Sequence, residues 1–144
     1  MIWTNTSDEL LEILTPYSDW FFKQDLNWLE ELAKNNEKNT DTIENSCSDE
    51  YLKEIVDKDG RHIGYPEISY CYDLRRGGLP GEFQEKYQNL SKELCTWLGA
   101  RNEAVHVYYP KNGFMAWHNN WNAHGYNILL SYTKNGGGFF KYRD

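Results

Sequence analysis

The chain has 144 residues, enough for one domain with a sizeable core. Its 22 acidic and 15 basic residues give a net charge of −7, which argues against nucleic-acid binding, because such binding relies on clustered lysine and arginine. Three widely spaced cysteines without a CxxC pair argue against a disulfide framework, and no run approaches the roughly 18 apolar residues of a membrane span. We therefore expect a cytoplasmic protein that does not bind membranes.

The first sixty residues predict helices. Thr6 and Glu9 have the spacing of a capping box ahead of a leucine-rich run, and Pro16 is expected to end that helix. A second helix is predicted from about residue 25 to the Asn35-Asn36 stop. A polar, mobile loop over 34–48 and a short helix over about 49–56 should follow.

The pattern changes near Gly64. Alternating apolar residues over 68–72 predict a strand, and apolar residues at three- and four-residue spacing predict a helix over about 82–98, closed by Gly99. Four further strands are predicted, at 104–109, 113–117, 126–133 and 138–142. Helices first and sheet last predict the α+β class.

His118 and Asn120 form the most informative pair. Residues spaced i and i+2 point to the same face of a strand, so both side chains could hold one metal ion. His124 lies a short turn away. Imidazole suits iron, copper, zinc and nickel, although a lone histidine at a strand end is more often structural. We read His62 and His106 as structural.

The order and spacing of four features resemble the Fe(II)/2-oxoglutarate dioxygenases of the prolyl 4-hydroxylase type. In Tyr109-x3-Gly113-x4-His118-x-Asn120, an aromatic-ended strand leads through a glycine to a metal-ligand pair. The helix ending at Gly99, the strand over 126–132 and the glycine run at 136–138 stand where the family has similar elements. The combination also resembles small oxygenase-like proteins encoded by phages, which would place the protein in the host cytoplasm.

The resemblance implies a double-stranded β-helix, a jelly-roll or cupin-like barrel, with Fe(II) and 2-oxoglutarate as cofactors. His118 would be the proximal iron ligand, and Asn120 stands where the family has an aspartate. Tyr109, Tyr126 and Tyr132 are candidates for hydrogen bonding to 2-oxoglutarate, and the choice among them stays open. The chain would form a single domain over 1–144, with a helical lead-in over about 1–60 and the N-terminal part of the barrel over about 64–144.

Two parts of the family pattern have no match in this sequence. A distal histidine and a basic residue that pairs with 2-oxoglutarate would follow several strands later, and Arg143 is too close to the glycine run. About five strands are predicted where the barrel needs about eight. We expect an incomplete barrel, either the front part of a longer protein or a chain that completes its sheet as a homodimer.

Three functions follow from these observations. The first is hydroxylation of an unidentified substrate by O₂. The second is a non-catalytic binding or structural module on a degenerate barrel, which the neutral Asn120 favours. The third is zinc or nickel binding by His118 and His124. Trp117 and Trp121 flank His118 and suit a substrate pocket and a packed core equally well.

Overall fold

The computed structural model describes residues 7–59, 66–75, 79–103, 106–119, 127–134 and 136–142. These residues form five helices and four short strands, which confirms the α+β class. None of the described helices is long and apolar enough to cross a membrane. In chain order the elements are α1 (Asp8–Phe21), α2 (Asn27–Lys34), α3 (Ile43–Ser46), α4 (Asp49–Asp59), β1 (Ser69–Tyr70), β2 (Tyr72–Asp73), α5 (Gly81–Leu98), β3 (Val107–Tyr108) and β4 (Phe114–Met115).

The chain divides into two compact units, each assembled from two stretches of sequence. Unit 1 contains Met1–Glu30 and Tyr72–Tyr108, and unit 2 contains Glu31–Cys71 and Tyr109–Asp144. Each unit holds one antiparallel pair of strands: β2 with β3 in unit 1, and β1 with β4 in unit 2. The single-domain assignment made from length stays a prediction.

Unit 1 is held together by an aromatic core between α1 and α5. Phe83 lies at its centre, with its ring centroid 4.9 Å from Trp20, 5.9 Å from Phe21 and 5.3 Å from Trp28. Aromatic pairs at such separations add to the free energy of burial. Trp20 also donates from Nε1 to the Glu82 carboxylate at 3.1 Å, which links the two helices.

Helix α1 differs from its prediction at both ends. Ser7, rather than Thr6, is the N-cap, and its side chain accepts from the Leu10 amide. The helix continues through Pro16 to Phe21, so the expected stop at proline was wrong. An interior proline costs roughly 3 kcal/mol. Burial of Phe21, one turn beyond Pro16, offsets that cost.

Helix α5 confirms its prediction closely. It ends at Leu98, and Gly99 adopts the left-handed conformation with φ of 63°. The Gly99 amide donates to carbonyls of the last turn. Helices commonly end on glycine because glycine adopts this left-handed conformation without a steric penalty. Helices α2 and α4 also lie where the sequence predicted them. The polar stretch 34–48, expected to be a loop, contains α3, which begins at its N-cap Thr42.

In unit 2, strands β1 and β4 pair with Ser69 opposite Met115 and Tyr70 opposite Phe114. The strand predicted over 68–72 is split, because Tyr70 pairs within unit 2 while Tyr72 pairs within unit 1. The strands predicted over 126–133 and 138–142 are not formed by the described residues there. A strand needs a ladder partner to persist. The described residues thus form two separate pairs of antiparallel strands and no jelly-roll barrel.

Candidate metal centre

Strand β4 fixes the backbone that leads to His118. Its two residues pair with β1, and one residue further on the Ala116 amide donates to the Ile68 carbonyl at 3.0 Å. Ala116 is 1% exposed, so the chain here is packed tightly. His118 therefore follows a backbone segment that is held by hydrogen bonds and burial together.

Trp117 anchors the same segment to the start of α4. Its indole Nε1 donates to the Ser48 carbonyl at 2.8 Å. A buried indole N–H normally needs such a partner. Of its two possible roles, this contact supports the structural one, because the polar edge of the ring is already used within the protein.

The imidazole of His118 is oriented by its own backbone neighbourhood. Nδ1 lies 2.8 Å from the Ala116 carbonyl oxygen. Because a carbonyl only accepts, Nδ1 must carry a proton, and in the neutral ring Nε2 then keeps its lone pair. Nε2 makes no hydrogen bond to the described residues. Metal-binding histidines commonly have this arrangement, since a hydrogen bond at one nitrogen fixes the tautomer and leaves the other to bind the ion.

Tyr109, one of the three candidate tyrosines, lies near β4. Its hydroxyl contacts the Met115 sulfur at 3.9 Å. Although 46% of the side chain is exposed, desolvation of the hydroxyl raises its pKa, with a smaller contribution from Cys71. Tyr132 is 57% exposed. Tyr126 and Asn120 lie outside the described residues.

Of the two predicted metal ligands, the described residues include His118 alone, and they contain no complete ligand set. Nowhere in the described ranges do three His, Cys, Asp or Glu side chains gather as a metal site would require. His118 could fill a single coordination position, because Nε2 of the neutral imidazole makes no hydrogen bond to the described residues. Asn120, His124 and Trp121 lie outside the described residues, as do Arg143 and Asp144.

Sequence reasoning missed a second group of interacting polar side chains, which lies in unit 1. The His106 ring stacks on Tyr87 with centroids 4.2 Å apart and planes 16° apart, and Tyr17 lies 5.7 Å away. His106 Nδ1 is buried and has no hydrogen-bond partner among the described residues. Desolvation lowers the pKa of His106 below its usual value, and the negative charge of Glu103 opposes that shift.

Carboxylates and an arginine surround this aromatic group. The Tyr87 hydroxyl donates to the Glu103 carboxylate. Asp73 accepts two hydrogen bonds from the Arg75 guanidinium, at 3.1 and 2.9 Å, so this ion pair is bidentate. Arg75 lies in a turn directly after β2. No spacing rule joins residues so far apart in sequence, which explains why the group was not predicted. The stacking of His106 on Tyr87 agrees with the structural interpretation of His106.

Two open grooves lie on helix surfaces. One, of about 630 Å³, runs along α4 in unit 2, and the other, of about 430 Å³, lies in unit 1. Neither is lined by a predicted site residue. The first is lined only by charged side chains, which is typical of a solvated helix face. Its lining consists of Glu50, Lys53, Glu54, Asp57 and Lys58.

Comparison with known proteins returned no relative. The chain matches no protein-family model, no curated protein and no solved structure.

Proposed function

We propose that the chain binds Fe(II) through His118 and Asn120 and acts as a 2-oxoglutarate-dependent oxygenase on an unidentified substrate. The observation that supports this most is the hydrogen bond from His118 Nδ1 to the Ala116 carbonyl, because it orients Nε2 away from that carbonyl and keeps it available to bind a metal. The spacing of Tyr109, Gly113, His118 and Asn120 supports the same assignment. The jelly-roll barrel belongs to this proposal, with further strands completing the sheet that β1 and β4 begin.

When bound, iron and 2-oxoglutarate would supply the oxidising chemistry. In the overall reaction, O₂ divides its atoms between succinate and a hydroxyl group on the substrate, while 2-oxoglutarate loses CO₂. The residues of this chain have simpler roles. His118 holds the metal, and the Ala116 carbonyl keeps the imidazole in one tautomer and one orientation.

With Asn120 as a ligand, the site would bind Fe(II) more weakly than a site with the aspartate that the family has at this position. An amide oxygen can coordinate iron, but it does not neutralise the charge of the ion. Asn120→Asp should therefore tighten Fe(II) binding. If the dissociation constant is unchanged in that variant, Asn120 is not a ligand.

Two substitutions at His118 separate metal binding from folding. His118→Asn keeps an N–H group near the position of Nδ1, so it can still donate to the Ala116 carbonyl, but it lacks Nε2. His118→Ala lacks both groups. We expect both variants to bind Fe(II) more weakly by more than roughly 100-fold, since the loss of an outer-shell partner alone costs 10–100-fold. Only His118→Ala should also lose stability, by about 1 kcal/mol.

Anaerobic equilibrium dialysis against Fe(II) measures the dissociation constant of each protein, and denaturant unfolding of each apoprotein measures its free energy of unfolding. His118→Asn is the matched control for the fold. Wild-type affinity in His118→Asn would refute the assignment of His118 as a ligand, and so would a failure of the wild-type protein to bind Fe(II).

A non-catalytic binding or structural module is the second candidate. It is favoured by the absence of a three-ligand group from the described residues and by the neutral Asn120. This candidate predicts that neither Fe(II) nor 2-oxoglutarate binds to the wild-type chain. The dialysis experiment above therefore decides between the two functions.

A further inference from the structure

We propose that the junction between α3 and α4, formed by Cys47 and Ser48, orients the imidazole of His118 through Trp117. Trp117 is then a positioning residue of the metal site. This role in metal binding rests on the proposed function, whereas the orientation of the ring is a property of the chain that can be measured without any metal.

The backbone of the junction is restrained by both of the helices that flank it. Cys47 is the C-cap of α3, and its amide donates to the Ile43 carbonyl at 3.0 Å. Ser48 precedes α4, where its hydroxyl accepts from the Tyr51 amide at 3.0 Å and its carbonyl accepts from the Leu52 amide at 3.2 Å. A serine hydroxyl that accepts from an amide of the first turn is a helix N-cap. The Ser48 carbonyl is therefore held in position by the start of α4.

Three side-chain contacts attach later parts of unit 2 to this junction. The Trp117 indole donates from Nε1 to the Ser48 carbonyl at 2.8 Å. The Cys47 thiol, a weak donor, lies 3.9 Å from the Met115 carbonyl oxygen. The Lys141 ammonium donates to the Cys47 carbonyl at 2.9 Å. Two of these contacts come from the residues directly before His118, so the junction fixes the chain that leads to the imidazole.

Trp117 transmits the position of the junction to the peptide group between Ala116 and Trp117. A peptide group is planar, so it turns only about the dihedral angles on either side of it. On one side, the Ala116 amide donates to the Ile68 carbonyl at 3.0 Å, and Ala116 is 1% exposed. On the other side, the indole bond to Ser48 restrains Trp117. The Ala116 carbonyl is therefore held from both sides.

The Ala116 carbonyl is the group that orients His118. It accepts from Nδ1 at 2.8 Å and so selects the tautomer with the proton on that nitrogen. Hydrogen bonds of this kind fix the orientation and the tautomer of metal-binding histidines. Because the carbonyl turns with its peptide group, loss of the indole bond of Trp117 should let it turn away from Nδ1. A tryptophan that only fills the core would have no such effect on the imidazole.

Long-range proton–nitrogen correlation spectra of the apoprotein, at a pH where the imidazoles are neutral, show which nitrogen of His118 carries the proton. Its signals are assigned by their absence from His118→Asn. We expect the proton on Nδ1 in the wild-type protein. In Trp117→Phe, the ratio of the Nδ1–H to the Nε2–H tautomer should fall about two- to fivefold, where the upper value corresponds to the full net free energy of one hydrogen bond.

Ser48→Ala tests the junction from its other side. This variant removes the N-cap hydroxyl and keeps both the carbonyl and Trp117, so it should shift the tautomer ratio in the same direction and to a smaller extent. It also decides the question if Trp117→Phe does not fold. A shift in Trp117→Phe without one in Ser48→Ala would overturn the role of the junction.

Ile55→Val is the matched control for stability. Ile55 is buried in α4, and this substitution costs about as much stability as the loss of one hydrogen bond, while the indole bond of Trp117 stays in place. The tautomer ratio should therefore be unchanged. An equal shift in Ile55→Val would overturn the proposal, because lost stability alone would then move the ring. An unchanged ratio in Trp117→Phe, or a wild-type ring with its proton on Nε2, would overturn it as well.

Anaerobic dialysis against Fe(II) separates the role in metal binding from the orientation of the ring. Trp117 acts one contact further from the metal than the Ala116 carbonyl, so Trp117→Phe should weaken Fe(II) binding about three- to tenfold, less than the roughly 10–100-fold cost of losing an outer-shell partner. Ile55→Val should leave the affinity unchanged. Wild-type affinity in Trp117→Phe, beside a shifted tautomer ratio, would overturn the role in metal binding. If the wild-type chain binds no Fe(II) while the ratio shifts, the proposed function is wrong and the orientation of His118 by Trp117 is confirmed.

Discussion

Replacing Gly113 by alanine is expected to destabilise unit 2 by about 1–3 kcal/mol, the usual cost of overpacking a close-fitting site. A Cβ atom at this position would lie 2.8 Å from each of three atoms: Pro110 Cδ, the Pro110 carbonyl oxygen and the Tyr70 carbonyl oxygen. Two of these atoms belong to the backbone and cannot rotate away. Tyr70 is part of β1, so the β1–β4 pair must move apart to make room.

Gly81→Ala is the matched control. Gly81 is the first residue of α5, and a Cβ there would meet no atom within 4 Å. Alanine also has the higher helix propensity, so this variant should be as stable as the wild-type protein or more stable. Urea unfolding followed by tryptophan fluorescence gives the free energy of unfolding of both variants. A Gly113→Ala protein within about 0.5 kcal/mol of wild type would refute the packing argument, since that is the range of an ordinary surface substitution.

The remaining predictions concern pH and a single hydrogen bond. Burial lowers the pKa of His106 in the folded state, so the contribution of His106 to the free energy of unfolding should be complete above the unfolded pKa of about 6.5 and should be lost as the pH falls through the folded pKa. His106→Phe should flatten this part of a plot of urea midpoint against pH. Burial raises the pKa of Tyr17 and Tyr87, so their contribution to the free energy of unfolding should be complete below a pH of about 10 and should be lost above it, where the phenols of the unfolded chain ionise. The same plot of urea midpoint against pH measures this loss. Trp117→Phe should cost about 1 kcal/mol in urea unfolding, the net value of one hydrogen bond, because the Ser48 carbonyl loses the indole donor and keeps the Leu52 amide; an unchanged midpoint would contradict that role.

The helices were the most predictable part of the fold because their signals are local. Gly99 ends α5 through its own left-handed backbone, and the apolar spacing before it requires no distant partner. Pro16 misled the prediction because its local cost is outweighed by the packing of α1 against α5, which sequence spacing does not reveal. The strands were less predictable, since each depends on a partner far away in sequence. Tyr72 and Tyr108 are one such pair.

The candidate site could be predicted only in part. The spacing of His118 indicated a ligand, but not the bond from Nδ1 to the Ala116 carbonyl, which depends on a particular tautomer and rotamer. Gly113 was singled out by the motif, and the crowding around it now gives a physical reason for a glycine there. The stacking of His106 on Tyr87 has no signal in the sequence, because the two residues meet only through the fold of unit 1.

The most direct test of the proposed centre is the anaerobic visible spectrum of the complete chain with Fe(II) and 2-oxoglutarate. A visible charge-transfer band appears only when Fe(II) and 2-oxoglutarate bind the same site. We predict that band for the wild-type protein and its loss in His118→Asn, which retains the donor to the Ala116 carbonyl. A wild-type chain without the band, or a His118→Asn variant that keeps it, would contradict the assignment.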